Sequence, residues 1–494
     1  MDEERSKTAI RRDRFSGGPA RAFLSSMAAD ERIFAADLAV DRAHVIMLAE
    51  QGIVSADDAG TILEALDAVE AAGHDALPDG EDVHEAIETA VIERVGEVGG
   101  KMHTARSRND EVATCIRYRL REDVLDAVEA TLTLREVLAD VAAEEVETVM
   151  PGYTHLQPAQ PTTVAHWLCS YEQAVARDTE RLFDAYHRID RSPLGAAAFA
   201  GTPFDVDRAR TAELLGFSEV LENSMDAAST RDFLIETVAC CGALATTLSG
   251  LAEDLIVFAN RDYVELADDY ASTSSIMPQK KNPDTLELVR ASAGDTAAGL
   301  NGLLTTLKGL PRAYNRDLQR ATPHAWAAVD AVIEATTVAA GAVATASWNE
   351  ETLAVAAGEG FSTATGIADL LAMAGVPFRS AHEVVALAAE RTDAQNRDPD
   401  YESLDTATSE VLGTGLEAYV DREAVEAALD PARSVASRDS PGGPAPTALD
   451  AQLDVAETEL VVDREGLAER RTQLEDAAAV LAREVGRRTR GGTV

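Results

Sequence analysis

The stretch RYRLREDVLDAVEATLTLREVLADVAAEEVETVM, residues Arg117 to Met150, decides the fold of this chain. It is the larger part of a run without Gly or Pro that extends from Lys101 to Met150. Apolar residues recur along it at helical spacing, at Leu120, Val124, Val128, Leu132, Leu134, Leu138 and Val141. Acidic residues fill the opposite positions, as in an amphipathic helix. The pattern predicts a helix of about 35 residues, which would be roughly 50 Å long.

Further long helical segments lie on the C-terminal side of this stretch. Residues 162–192, 217–241 and 251–269 are largely uninterrupted, and residues 238–248 are apolar on most faces. Long helices of this kind can bury their apolar stripes only against one another. The sequence therefore predicts an all-α protein whose middle is an elongated helical bundle.

The chain should divide into three mainly helical domains, since 494 residues are enough for two to four. Residues 1–110 have a mixed pattern with several Gly and Pro turns, and residues 111–357 contain the long helices. At Gly358 the pattern changes to shorter helices, so the third domain is placed at residues 358–494.

Composition excludes some classes of function. The 86 acidic residues outnumber the 44 lysines and arginines, for a formal net charge of −42, and they are spread along the whole length. An acidic surface argues against nucleic-acid binding, which needs a basic footprint. It suits a protein kept soluble in concentrated salt, where screening removes most of the self-repulsion.

Cysteine usage and hydropathy favour a cytoplasmic, soluble protein. The four cysteines are dispersed and show no CxxC or metal-ligand spacing, which favours a reduced compartment without structural zinc. We expect neither secretion nor membrane spanning, because the first residues form no apolar leader and no eighteen apolar residues run together. No phosphate loop, dinucleotide fingerprint or metal-ligand set is present, so we expect no cofactor and no metal.

A polar loop interrupts the helical pattern at residues 272–284, which read STSSIMPQKKNPD. Pro278 and Pro283 break helix propagation and restrict the backbone. Lys280 and Lys281 are two of only five lysines in the chain, and their position beside a run of hydroxyls indicates a site for an anion. The alternative is a solvated basic turn.

Two more polar clusters adjoin the long helices. HTARSRND, residues 103–110, is either a carboxylate receptor at a helix N-terminus or an ordinary capping turn. GYTHLQPAQP, residues 152–161, is a polar loop in which His155 is either structural or a general acid or base. A weaker group occupies residues 314–319, and most other histidines, including His84, fit surface or packing positions.

Together these clusters resemble the aspartase/fumarase superfamily. STSSIMPQKKNPD is similar to its signature loop, and HTARSRND, GYTHLQPAQP and AYNRDLQ resemble its argininosuccinate lyase branch. The similarity runs from about residue 14 into the third predicted domain, where GVPFR at residues 375–379 also fits. The resemblance implies a homotetramer with a central twenty-helix bundle and active sites built from three subunits. It also implies reversible β-elimination of argininosuccinate to arginine and fumarate, the last step of arginine biosynthesis.

The resemblance further implies roles for individual residues. Such an elimination needs a base for the proton, an acid for the departing nitrogen and donors for the charge that builds on a carboxylate. Ser274 corresponds to the base once the loop surrounds it with Lys280 and Asn282. His155 corresponds to the acid, oriented by Glu287 of another subunit, although the sequence leaves the direction of these two roles open. Substrate contacts are implied for Arg108, Asn109, Thr154, Asn282, Tyr314 and Gln319.

The chain departs from the family pattern at four positions. Asp41 stands where a serine usually touches substrate, and Thr322 stands where a lysine is common. Ala105 replaces a glycine and Glu111 replaces a glutamine. Arg320 is a candidate replacement for the missing cation, although arginine and lysine are not equivalent.

Two other functions stay open at this point. A superfamily lyase acting on adenylosuccinate shares the loop, but it should need phosphate-binding residues and it lacks HTARSRND. A non-catalytic structural paralogue, like the lens crystallins of this family, is the second alternative. The intact His155, Ser274, Lys280 and Asn282 argue against it.

Overall fold

The structure, a computed structural model, describes residues 19–395 and 397–489. The all-α prediction is confirmed, because long helices dominate and each sheet has only two strands. The first region contains α1 (Pro19–Leu24), α2 (Met27–Asp30), α3 (Phe34–Glu50), α4 (Ala56–Ala72) and α5 (Val83–Val95). Most of α3 is buried, so its few polar side chains have to find partners inside the protein.

The predicted long helix is α6 (Arg108–Glu144), with 37 residues. Ser107 begins it with a capping box: its hydroxyl accepts a hydrogen bond from the Asn109 N–H, and its own N–H donates to Asp110 (3.1 Å). The predicted apolar stripe faces the core, where every member except Val141 is buried.

The middle of the chain contributes six more helices. They are α7 (Val164–Ile189), α8 (Arg208–Leu214), α9 (Ser224–Ser229), α10 (Asp232–Asn260), α11 (Asp284–Leu307) and α12 (Thr322–Ala344). Helices α6, α7, α10, α11 and α12 pack side by side as the predicted bundle.

The predicted break between residues 241 and 251 is wrong, because α10 continues through Gly242 and Gly250. The apolar faces of α10 pack against α7, α11 and α12, and this packing outweighs the small cost of glycine within a helix. The Tyr171 hydroxyl lies close to Gly250, 3.4 Å from where a Cβ would be. Residues 217–231, predicted as helix, form a two-residue strand and α9 instead.

In the part of the chain that the structure describes, eight short strands form four two-stranded sheets. They are β1 (Val149–Thr154), β2 (Gln157–Thr163), β3 (Arg191–Ser192), β4 (Glu219–Val220), β5 (Val264–Glu265), β6 (Ser272–Thr273), β7 (Lys281–Asn282) and β8 (Ser347–Trp348). The predicted polar loop at residues 152–161 is therefore an antiparallel β1–β2 hairpin with a bulge after Pro151. The predicted loop at 272–284 carries the short β6–β7 ladder at its base.

The C-terminal region adds α13 (Glu350–Gly358), α14 (Ala364–Met373), α15 (Phe378–Asp393), α16 (Tyr401–Leu412), α17 (Arg422–Leu429), α18 (Pro431–Ala436) and α19 (Pro446–Thr489). Helices α14 to α17 enclose a second, smaller hydrophobic core. Helix α19 leaves this core and packs along α6 and α4. The boundaries of the three predicted domains stay predictions.

Buried ion pairs hold α19 against the bundle. Arg135 of α6 is fully buried, and it donates to Glu172 of α7 (2.8 Å) and Asp463 of α19 (2.6 Å). Desolvating a buried guanidinium is very costly, and these two carboxylates offset that cost.

Within residues 19–395 and 397–489, two stretches, Asp232–Asn260 and Arg316–Ala344, are long and apolar enough to cross a membrane by length and composition alone. Within the protomer, 44% and 50% of their most apolar windows are buried. Core helices of soluble proteins pass the same test, and both stretches contribute to the main hydrophobic core. The remaining apolar faces are available for other contacts.

Candidate active site

A cavity of about 190 Å³ lies beside the N-terminus of α6. Four of the ten predicted site residues line it, namely Arg108, Asn109, Tyr314 and Gln319. They come from positions about 200 residues apart, because α11 and α12 place residues 310–322 next to the start of α6. The structure therefore brings two of the predicted clusters together in one cavity.

Hydrogen bonds hold the polar side chains of this cavity in place. Asn109 donates from its amide to the Ala198 carbonyl (2.9 Å), and Gln319 donates to the Leu24 carbonyl (3.0 Å). Arg108 pairs with Asp82 (3.3 Å) and remains partly exposed. Each of these groups keeps some hydrogen-bonding capacity for a ligand.

Sequence reasoning missed several polar residues of this cavity: Ser26, Asp30, Asp82, His84 and Arg231. Arg231 is buried and donates to the Thr230 carbonyl (2.7 Å), and among the described residues no carboxylate lies within ion-pair distance of it. Burial lowers the pKa of Arg231 to about 10, so it remains a cation near neutral pH. A buried cation without a carboxylate partner is suited to bind an anionic ligand.

Of the surface or packing positions expected for His84, the structure shows the packing one, but its role goes beyond packing. His84 is buried and lines the cavity, and its Nδ1 lies 2.8 Å from the Asp37 carboxylate. Burial alone would lower the pKa of His84, but Asp37 outweighs burial and raises it to about 10. The polar run at residues 81–84, directly after a turn, was the signal in the sequence.

A buried cluster of charges lies behind His84. Arg106 bridges Asp41 (2.7 Å) and Glu111 (2.8 Å), while Asp37 also accepts a hydrogen bond from the Cys115 thiol (3.3 Å). Two sets of these side chains are close enough to hold a metal ion: Asp37, His84 and Cys115, and Asp37, Asp41 and Glu111. However, Arg106 and His84 already supply cations to all three carboxylates. The cluster is best described as an ion-pair network beneath the cavity.

Two of the four departures from the family pattern, Asp41 and Glu111, belong to this ion-pair network. Asp41 is not the residue that faces a substrate, because it is buried against Arg106 and does not line the cavity. Among the described residues, the serine that lines the cavity is Ser26. Ala105 has a φ of 64°, a left-handed conformation in which glycine is preferred.

Thr322 does line the cavity, whereas Arg320 does not. Arg320 is exposed, and its guanidinium lies 5.9 Å from the Phe23 ring. Arg316 presents a cation to the cavity instead, and it forms an ion pair with Glu81.

Thr154 and His155 lie at the tip of the β1–β2 hairpin. Thr154 pairs with Gln157, so His155 and Leu156 form a two-residue turn in which φ is 56° and 58°. Such turns normally carry Asn or Gly, and strained residues of other types are typical of functional sites. All of these side chains are exposed in the protomer, and Leu156 is 71% exposed.

Ser274 lies at the start of the loop that β6 and β7 close. Its Oγ accepts hydrogen bonds from the Met277 (3.1 Å) and Ile276 (3.3 Å) N–H groups, and its own N–H donates to the Lys280 carbonyl (3.3 Å). Lys280 is exposed, and so is Glu287 in the first turn of α11. Asn282 is half-buried and pairs with Ser272 in the ladder.

The predicted residues therefore form two sets at opposite ends of the bundle. The first set lines the cavity and consists of Arg108, Asn109, Tyr314 and Gln319. The second set lies on the hairpin, on the β6–β7 loop and at the start of α11, and it consists of Thr154, His155, Ser274, Lys280, Asn282 and Glu287. Arg108 begins α6 and the hairpin follows its other end, about 55 Å away for a helix of 37 residues. Likewise, Asp284 begins α11 beside Ser274, while Tyr314 and Gln319 follow its far end. Among the described residues no hydrogen bond or ion pair joins His155 to Ser274, Lys280 or Glu287.

Comparisons with known proteins agree with this geometry. A lyase family profile matches residues 21–296, and a profile for the argininosuccinate lyase C-terminal region matches residues 361–436. The argininosuccinate lyase of Haloarcula marismortui is 68% identical over 98% of this chain and 97% of its own length. That of Natronomonas pharaonis is 72% identical over 97% of this chain and 96% of its own length.

Solved structures show the same fold. An EDDS lyase in complex with formate superposes with a TM-score of 0.85 at 33% identity, covering 98% of this chain and 99% of its own. A variant of EDDS lyase with bound fumarate gives 0.84 at 32% identity, with 96% of each chain covered. The class II fumarase of Schistosoma mansoni gives 0.71 at 15% identity, covering 84% of this chain and 94% of its own, and shows the fold alone.

Proposed function

The chain belongs to the argininosuccinate lyase family, and we propose that it forms a homotetramer in which each active site takes residues from three subunits. It is a carbon–nitrogen lyase that acts on argininosuccinate. We infer reversible β-elimination to arginine and fumarate, as the last step of arginine biosynthesis in the cytoplasm. No cofactor, nucleic acid or membrane takes part in this proposal.

The separation of the two residue sets within one protomer carries the tetramer proposal. We call the cavity beside the start of α6 the substrate cavity. It lies about 55 Å from the His155 hairpin along α6, which is too far for one small substrate to touch both. Helices packed antiparallel from different subunits would bring opposite ends together. Large apolar side chains beside the second set are exposed in the protomer, namely Leu156 (71%), Ile276 (83%) and Leu288 (73%). Exposed apolar groups of this kind mark contact surfaces.

Ser274 is proposed as the base that removes the proton. The two N–H groups that donate to its Oγ would stabilise an alkoxide, and the N-terminus of α11 adds its positive dipole nearby. Lys280 and Asn282 would complete this environment and stabilise the charge that builds on the substrate carboxylate.

His155 is proposed as the acid that serves the departing nitrogen, oriented by Glu287 of another subunit. Its strained turn holds the imidazole at the tip of the hairpin, where Thr154 contributes a substrate contact. The assignment of base and acid follows the family resemblance.

The substrate cavity supplies charges of both signs for a substrate that carries carboxylates and a guanidinium. Arg231 and Arg108 would bind carboxylate groups, and Asp30 and Asp82 line the same cavity as acceptors for a cation. Tyr314 and Gln319 would add hydrogen bonds. This mixture of charges suits argininosuccinate better than a nucleotide, whose phosphate would need a concentration of cations.

Mixing inactive subunits tests the shared site. We expect His155→Asn and Ser274→Ala to be inactive alone, and to recover about one quarter of wild-type sites when subunits are refolded together and assort at random. Fumarate release, followed by ultraviolet absorbance in concentrated KCl, measures the recovery. As a control, His155→Asn mixed with Thr154→Ala should recover nothing, because both residues lie on one hairpin.

Three results would contradict the proposal. No recovery in the first mixture, with folded tetramers confirmed by native mass, would mean that one chain supplies both residues. Turnover of adenylosuccinate instead of argininosuccinate would favour the other lyase activity. A folded tetramer that turns over neither compound would favour a non-catalytic structural role.

A further inference from the structure

A second cavity, which we call the hairpin cavity, has a volume of about 430 Å³. It is enclosed by the β1–β2 hairpin, the start of α7, the end of α10 and the connector before α19. The side chains that matter for its chemistry are Trp167, Asp254, Phe258, Arg261 and Arg438. Its volume lies within the range of small-molecule binding sites.

One wall of the hairpin cavity is aromatic and well supported. The rings of Trp167 and Phe258 meet edge to face with centroids 5.2 Å apart, and Trp348 packs on Trp167 at 5.7 Å. Such a cluster is rigid and offers a flat apolar surface to a ligand.

Two cations, Arg261 and Arg438, stand among the polar groups that line the hairpin cavity. Arg261 lies 5.0 Å over the Tyr153 ring and donates to its hydroxyl (3.3 Å), and among the described residues no carboxylate is within ion-pair distance of it. The Nε of Arg438 is buried without a hydrogen-bond partner, and its nearest carboxylate, Asp369, is 3.8 Å away.

The single acid among the lining residues is already engaged. Asp254 accepts hydrogen bonds from the Trp167 indole (3.0 Å) and the Tyr171 hydroxyl (2.7 Å) on the same oxygen. In a chain with 86 acids and 44 lysines and arginines, a cavity with two arginines and one acid runs against the overall composition. The cations are therefore available to an anionic ligand.

We propose that the hairpin cavity binds a small aromatic carboxylate, with its ring against Trp167 and Phe258 and its carboxylate between Arg261 and Arg438. Such a ligand would also touch Thr154 and Leu156, which flank His155 and line the same cavity. It would therefore change turnover by shifting the hairpin. This effect on turnover rests on the proposed function, whereas binding itself does not.

The hairpin cavity is distinct from the substrate cavity of the same protomer. Arg231 precedes α10 at the substrate cavity and Arg261 follows its other end at the hairpin cavity. A helix of 29 residues separates them by about 43 Å. One ligand cannot occupy both cavities of the same protomer, and competition with fumarate tests whether a substrate cavity of another subunit includes the hairpin cavity.

Calorimetric titration of the full-length tetramer with phenylacetate tests the proposal at constant KCl concentration. We expect saturable binding, at least tenfold weaker binding of the uncharged phenylacetamide, and at least fivefold weaker binding of phenylacetate by Arg261→Gln and by Arg438→Gln. Arg433→Gln is the matched control, because Arg433 is exposed on α18 and does not line the cavity. It should bind as the wild type does.

Three outcomes would overturn the proposal. The first is equal binding of phenylacetate and phenylacetamide. The second is binding of phenylacetate by both arginine variants as tightly as by Arg433→Gln. The third is competitive displacement of phenylacetate by fumarate, which would place phenylacetate in the substrate site. Because Arg261 is exposed, its variant should fold even if Arg438→Gln does not. A failure of the proposed function would show as lost turnover and would leave these binding results unchanged.

Discussion

The ion pair between His84 and Asp37 should make the stability of this protein depend on pH in a specific direction. The pKa of the His84 imidazole rises from 6.5 to about 10 because the Asp37 carboxylate outweighs the effect of burial. A group with a raised pKa in the folded state contributes stability that is fully present below pH 6.5 and is lost as the pH rises through about 10. At about 1.4 kcal/mol per pH unit, this difference corresponds to about 5 kcal/mol as an upper limit.

Removing the imidazole tests this reasoning. His84→Gln leaves Asp37 buried without its cation, so we expect it to be less stable than the wild type by about 3–5 kcal/mol at pH 6.5. The difference should shrink as the pH rises, because the wild type loses the same interaction between pH 6.5 and 10. Urea unfolding followed by circular dichroism, at one KCl and one protein concentration, gives both curves.

The matched control is His187→Gln, since His187 is exposed on α7 and its variant should follow the wild type at every pH. Parallel curves for wild type and His84→Gln across pH 6.5–10 would refute the reasoning. They would mean that His84 is neutral in the folded protein and that Asp37 is satisfied by other groups.

Three further predictions follow from the loop, the strained turn and the buried ion pair. Ser274→Ala should lose several orders of magnitude in the rate of fumarate release with little change in melting temperature. Ser275→Ala, at an exposed neighbour, should keep most of the rate. Near-normal turnover by Ser274→Ala would remove this serine from its role as base. Ala105→Gly should raise the free energy of unfolding by roughly 0.5–1 kcal/mol, measured by urea titration, because φ is 64° there; a loss of stability would show that the turn is not strained. Arg135→Ala should lower the free energy of unfolding by about 3–5 kcal/mol in the same assay, because its ion pair is buried. Arg464→Ala removes an exposed ion pair and should lower it by less than about 1 kcal/mol. Equal losses would contradict the argument that burial makes the Arg135 pair more important.

The long helices could be predicted from the sequence because their apolar spacing is a local property. The run without Gly or Pro gave α6 to within a few residues. The same reasoning failed at Gly242 and Gly250, which lie inside α10, because packing against neighbouring helices outweighs a local cost. It also missed the β1–β2 hairpin, whose strands contain three prolines and whose turn carries His155 and Leu156.

The candidate site was only partly predictable for a similar reason. The clusters around Arg108 and Tyr314 were identified as polar interruptions, and the structure places them in one cavity. The same cavity contains Arg231 and His84, which lie outside the polar clusters that the sequence singled out. Asp41 was expected near the substrate, and its burial against Arg106 became visible only in three dimensions.

The sequence by itself determined that this protein is a helical bundle with polar clusters between its long helices, because periodicity and helix breakers act over a few residues. Which clusters meet was decided by the tertiary structure alone. Helices of 24 to 37 residues carry neighbouring segments of the chain to opposite ends of the bundle, and they bring segments 200 residues apart to the same end. Distance along the chain therefore does not predict distance in space at this site. The distance in space is determined by how the helices pack.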